Sequence, residues 1–125
     1  MMVLISACLL GIRCRYDNKI LKLEPSQKKI INNLIKHEVL IPVCPEQLGG
    51  LPTPRSPAKI IKNKVMNEQG IDVTQNFKNG AVQIVKLAKI FKIKTVYLKN
   101  SSPSCGKSGI TTKNLRKLPV KIYHI

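Results

Sequence analysis

The chain has 125 residues, 43% of them apolar and 22% charged, which is enough for one hydrophobic core and too few for two, so residues 1–125 read as a single domain. Its 22 Lys and Arg against 6 Asp and Glu give a net charge of +16, a field that attracts phosphates and other anions and supports non-specific nucleic-acid binding. Eighteen of the basic residues are Lys scattered singly, and with no Trp, 2 Phe and 3 Tyr there is little aromatic surface for base stacking, so charge alone identifies no partner.

The first apolar stretch, Met1 to Leu10, is interrupted by Ser6 and followed by Arg13 and Arg15. It falls well short of the roughly 20 residues of a membrane span, and its basic residues stand on the wrong side for a signal peptide, so we expect a cytoplasmic protein with no membrane partner. Within it, Val3–Ser6 has the continuous apolar character of a buried strand. Gly11 to Lys19 is a polar loop in which Asn18 tolerates left-handed backbone angles and Asp17 pairs with Arg15 across a turn.

Pro25 suits a first helical turn, and Ile30, Ile31, Leu34 and Ile35 recur at helical spacing, predicting an amphipathic helix over 25–37. Val39–Val43 is a second β-rich run. From Pro45 to Pro57 the density of Pro and Gly predicts a long shaped loop without regular structure. Segments around 60–65 and 71–73 flank Asn67–Gly70 as a small hairpin or irregular excursion. Asp72 or Thr74 caps a helix running to about Phe91, with an apolar stripe of Phe77, Ala81, Ile84, Val85, Ala88 and Phe91. Lys94–Leu98 is a third strand, Asn100–Gly109 a second irregular loop, Thr111–Lys117 a short helix and Val120–Tyr123 a terminal strand. Strands alternating with helices imply crossover connections, hence an α/β layered domain around a mostly parallel sheet of four or more strands.

No two of the four cysteines, Cys8, Cys14, Cys44 and Cys105, show the spacing of a zinc ribbon or redox dithiol. Their placement is more informative. Cys8 follows the first strand, Cys44 the second, and Cys105 lies in the loop after the third. In a parallel sheet those loops emerge at one edge, where ligands bind, so the three thiols should converge. Such a group can ligate an iron–sulfur cluster, or zinc with Cys14 as a fourth ligand; three thiols alone leave a coordination position open for substrate. The competing reading is that each Cys is simply packed. That reading suits Cys105 poorly, since its polar loop offers nothing to bury it. On the same edge, Glu46 supplies a carboxyl able to give or take a proton, and Ser102 a hydroxyl able to bond a substrate or departing sulfide. His37 and His124 sit at a helix end and near the last residue, and neither fits a nucleophile–histidine arrangement.

Four stretches carry a resemblance that runs nearly end to end: Ser6-Ala7-Cys8-Leu9-Leu10-Gly11 with Cys14-Arg15-Tyr16-Asp17; Pro42 to Arg55; Gly70 to Thr74 with Phe77 and Gly80-Ala81; and Leu98-Lys99 with Ser102-Pro103-Ser104-Cys105-Gly106. On these the chain resembles a bacterial family long known as domain of unknown function 523, to which thiouracil desulfidases are related. The resemblance implies a Rossmann-like three-layer sandwich holding a 4Fe-4S cluster through Cys8, Cys44 and Cys105, with Glu46 and Ser102 as the proton-handling residues. It further implies non-redox desulfuration of a small thiolated compound such as a thiopyrimidine. The alternative from composition is a non-catalytic basic protein with a structural Cys/zinc site that binds RNA. Two departures from the family stand out. Asn18 replaces a glycine, and the relatives' further stretch of roughly 15 residues after the Ser-Pro-Ser-Cys-Gly motif, long enough for a lid, is missing.

Overall fold

The computed structural model describes residues 1–125. In chain order its elements are β1 (Met2–Ser6), a 3₁₀ turn (Ala7–Leu10), α1 (Pro25–His37), β2 (Val39–Val43), α2 (Pro45–Leu48), β3 (Ala58–Ile61), β4 (Lys64–Asn67), α3 (Thr74–Ile90), β5 (Thr95–Leu98), α4 (Ile110–Leu115) and β6 (Lys121–His124). Strands β2, β1, β5 and β6 lie side by side in that order, every neighbouring pair parallel. From β1 the chain passes through α1 to β2 on one side, then crosses back through α3 to β5 on the other. The strand order therefore reverses between β1 and β5, and the crevice at the carboxyl ends of those strands is where an open parallel sheet binds ligands.

Alternation along each strand divides the core between the two faces. Ile5, with Leu40 and Tyr97, packs on Ile31 and Leu34 of α1. Leu4, Val43, Val96 and Leu98 pack on Ile84 and Ala88 of α3 and Leu115 of α4. The result is the expected three-layer α/β sandwich. Helix α1 opens with Pro25 at its first position, while the Gln27 side chain accepts a hydrogen bond from the Glu24 N–H at 2.8 Å; both devices favour helix initiation there. Helix α3 begins where Asp72 Oδ1 accepts the Thr74 N–H at 2.9 Å. No helix is long and apolar enough to cross a membrane.

One local expectation is corrected and another is extended. Residues 45–57 are not wholly irregular, because Pro45 starts the single turn α2 that ends at Gly49; a proline at the first helical position loses no intrahelical bond. The chain doubles back across Asn67–Gly70 as expected, with Met66 bridging Asp72 antiparallel, and a further hairpin not foreseen turns at Lys62 and Asn63 between β3 and β4, with Lys62 at φ 57°. Asn67–Gly70 forms a second turn, in which Asn67 Oδ1 accepts the Gln69 and Ile71 N–H groups, each at 2.9 Å.

Candidate active site

The site grows from the ends of β1, β2 and β5. At the end of β1, buried Ser6 accepts the Lys99 N–H on its Oγ at 2.9 Å, joining the two strands that flank the crevice. The 3₁₀ turn then presents Cys8, and Gly11, at φ 81°, reverses the chain. The loop returns Cys14 to pack against Ala7 and Cys8, with Cys44 beside them. Asn18 takes the left-handed conformation expected of it, at φ 57°, and Asp17 pairs with Arg15 at 3.5 Å.

Cys44 ends β2 immediately before α2. The α2 turn lies against α3 at a backbone contact that only glycines permit: a Cβ on Gly80 would stand 1.9 Å from the Pro45 carbonyl oxygen, and one on Gly49 would stand 2.0 Å from that of Asn76. This contact seats Cys44 and Glu46 against the rigid three-layer body.

After β5, the Ser102 hydroxyl accepts the Cys105 N–H at 2.7 Å and the Ser102 carbonyl accepts the Gly106 N–H at 2.9 Å. Thr112 Oγ1 donates to the Cys105 carbonyl at 2.9 Å, and the chain turns from Gly106 straight into α4. Cys105 is only 5% exposed and packs into the core shared with Leu4 and Leu98. The expectation that nothing would bury it considered the loop alone; the sheet's own core covers it.

Cys8, Cys14, Cys44 and Cys105, all free thiols, line one cavity of about 220 Å³ together with Glu46, Ser102, Ser104 and Arg55. Every candidate residue read from the sequence thus faces the same space, and Cys14 joins them. His37 and His124 do not line it. Two further residues were missed. Arg55, 7% exposed, donates through Nε to Glu46 Oε1 at 3.1 Å, through Nη2 to the Cys14 carbonyl at 3.0 Å, and through Nη1 to the Pro52 carbonyl at 3.1 Å and Thr53 Oγ1 at 2.9 Å. Ser104 donates to Glu46 Oε2 at 3.0 Å. The sequence held one signal for Arg55: it is the first charged residue after Glu46 in an otherwise uncharged loop.

The thiols perturb one another. A hydrogen bond from Cys14 pulls Cys8 below the ordinary thiol value, against burial. For Cys14 the bond with Cys44 works downward, but the bond made to Cys8 and burial outweigh it, raising the thiol to about 11. Cys44 is raised by its hydrogen bond to Cys14 and then by burial, and burial raises Cys105 to about 11. Cys14, Cys44 and Cys105 are thus held as thiols, and metal binding must displace their protons. No group of three or more His, Cys, Asp and Glu side chains is disposed to hold a single metal ion. A lone zinc needs its ligands within roughly 2.3 Å of one point, whereas a multi-iron core takes thiolates from separate walls of a cavity. Thiols carried to one cavity by separate strand ends are a donor set that fits the second.

Comparison with known proteins agrees with this chemistry. Residues 3–121 match a family described as 2-thiouracil desulfurase. The chain is 37% identical over 119 residues to the uncharacterised protein YbbK of Bacillus subtilis (strain 168), spanning 87% of this chain and 76% of that protein. The solved structure of the 4Fe-4S-dependent thiouracil desulfidase TudS (DUF523Vcz) shares its fold with a TM-score of 0.83 at 32% identity, over 98% of this chain and 89% of that one.

Proposed function

Because this chain belongs to the 2-thiouracil desulfurase family, we propose that it removes sulfur from a small thiolated compound such as a thiopyrimidine, turning C=S into C=O with release of sulfide and no net redox change. The observation that carries the reading is the meeting of Cys8, Cys44 and Cys105, from three strand ends, around one cavity that also contains the carboxylate of Glu46. These three thiols are the residues that would hold a 4Fe-4S cluster. When bound, such a cluster supplies a Lewis-acidic iron that polarises the C=S bond, as a metal polarises a carbonyl.

The chain's own residues do the rest. Val43, Pro57 and Ala58 give the cavity apolar walls against which a flat ring can lie. Arg55 and Ser104 hold both oxygens of Glu46, and in this reading the carboxylate takes a proton from the water whose oxygen replaces sulfur at carbon. Ser102 accepts the Cys105 N–H and carries one proton of its own, which in this reading goes to the departing sulfur. Four free cysteines suit the reducing cytoplasm, where we place the reaction. The alternative of RNA binding has only net charge behind it.

The test is incubation of anaerobically cluster-loaded protein with 2-thiouracil. The expected products are uracil and sulfide in equal amounts, and Glu46→Gln should slow their release by about 10²–10⁴-fold while the visible absorbance of the cluster persists. Loaded protein that releases no sulfide from any of a panel of thiolated bases and nucleosides overturns the reading.

A further inference from the structure

Ser104 lies between the two residues to which proton handling is assigned above. It is 2% exposed, and a buried hydroxyl is costly unless it is bonded. Its oxygen donates to Glu46 Oε2 at 3.0 Å and stands 3.4 Å from Ser102 Oγ and 3.8 Å from Cys105 Sγ. Beyond it, Arg55 Nε holds the other oxygen of Glu46 at 3.1 Å. Arg55, Glu46, Ser104 and Ser102 therefore form a continuous hydrogen-bonded chain along the cavity wall. The loop's backbone does not need this hydroxyl, since the Ser104 carbonyl accepts the Thr111 N–H at 3.0 Å and Ser102 secures the Cys105 N–H. An alanine would fill nearly the same volume.

We propose that Ser104 is a positioning residue that couples Glu46 to Ser102 and completes a path for one proton between the two ends of the reaction. The inference rests on the desulfuration reading and adds to it. Exchange of C=S for C=O consumes one water and forms one hydrosulfide and one free proton: the oxygen of water bonds to carbon, both carbon–sulfur bonding pairs end on sulfur, and of the two protons of that water one passes to sulfur while the other leaves to solvent. No electrons enter or leave. Glu46 receives one of those protons at the water. In the resting site the Ser104 hydroxyl points at Glu46. Once Oε2 carries the proton the two hydroxyls turn toward the sulfur, Oε2 passes its proton to Ser104 Oγ, Ser104 passes its own to Ser102 Oγ and Ser102 passes its own to the sulfur, so the carboxylate and both hydroxyls end as they began. The long member of the path is the 3.4 Å gap between the serines. It must close to about 2.8 Å for transfer, and contacts of this kind tighten when substrate is bound.

The experiment compares wild type, Ser102→Ala, Ser104→Ala and the double variant, each anaerobically loaded and matched by visible absorbance. The expected result for Ser104→Ala is a fall in kcat of about tenfold or more with KM within about twofold, and a double variant no slower than the slower single one, because one path is being cut twice. Two readouts accompany the rates. In wild type, kcat measured across mixtures of light and heavy water should bend with deuterium fraction, as more than one proton in flight requires. In unloaded protein carrying ¹³C-glutamate, the Glu46 carboxyl signal, identified by its loss in Glu46→Gln, should move in Ser104→Ala. An active wild type with an unimpaired Ser104→Ala, losses that multiply in the double variant, a straight heavy-water plot, or an unmoved carboxyl signal overturns the coupling alone. Loaded wild type that releases no sulfide overturns the desulfuration reading, and the coupling with it.

Discussion

The two loops that carry Cys44 and Cys105 to the cavity are held by opposite means. The loop after β2, residues 44–57, is organised around charge: the Arg55 guanidinium gathers the Glu46 carboxylate, two oxygens of its own loop and the Cys14 carbonyl. In the loop after β5, residues 99–109, the bonds that hold Cys105 are neutral, from the Cys105 N–H to Ser102 Oγ and from Thr112 to the Cys105 carbonyl, with Gly106 and Gly109 in contacts too close for any Cβ, while the loop's charged bond, from Lys99 Nζ to the Asn100 carbonyl, stands at its start. They meet where Ser104 donates to Glu46. The difference teaches a division of labour: one loop keeps an ionised group in a largely buried place, and the other keeps a thiol still without placing a further charge beside it.

Breaking the charged loop should have the largest effect. Arg55→Met leaves Glu46, 15% exposed, without its partner, and removing one member of a buried pair costs about 3–5 kcal/mol; urea unfolding should show the loss in the midpoint with the slope unchanged. Next comes the seat of that loop. Gly80→Ala would drive a methyl into the Pro45 carbonyl, costing about 1–3 kcal/mol and displacing Cys44 and Glu46, so cluster loading should fall along with the melting temperature. In the loop after β5, Ser102→Ala strips the Cys105 N–H of its acceptor, a penalty of about 1–3 kcal/mol, visible as faster amide exchange at Cys105. The smallest effect lies outside both loops. Asp72, whose carboxyl is held below its ordinary 3.8 chiefly by Thr74, stabilises the start of α3. Because its folded value is the depressed one, that contribution is present above the ordinary carboxylate range and fades as pH falls through the lowered value. Asp72→Ala should therefore lower the melting temperature slightly at pH 7, by an amount that shrinks as the pH is taken down through the acid range.

Much of this architecture is legible in the residues themselves. Of the two predicted helical stripes, Ile31 and Leu34 in α1 and Phe77, Ala81, Ile84 and Ala88 in α3 are buried, whereas Ile30, Ile35 and Phe91 are exposed, because a single sheet face covers a narrower arc of each helix than the apolar residues span. The runs from Val3 and Val39 are parallel partners, and once parallel strands are inferred, their following loops must share an edge; Cys8, Cys44, Cys105, Glu46 and Ser102 could be grouped on that ground. What escaped depends on contacts between segments. Helix α2 is one turn among prolines and glycines, too short for periodicity to register. Lys62 gives no hint of a left-handed turn, since its residue type rarely adopts one. Ser104 and Arg55 stand out only when Glu46 is seen with both oxygens bonded, one of them from a loop more than fifty positions away. The burial of Cys105 likewise comes from Leu4 and Leu98 on the sheet, which a reading confined to its own loop could not supply.

The central claim, that Cys8, Cys44 and Cys105 together hold an iron–sulfur core, is tested most directly by counting iron and acid-labile sulfide per chain after anaerobic loading, in wild type and in four single Cys→Ala variants. The account predicts about four of each in wild type, severe loss with Cys8→Ala, Cys44→Ala or Cys105→Ala, and retention with Cys14→Ala. Iron retained in full by any of the first three variants, or a colourless wild type that takes up stoichiometric zinc instead, would contradict it.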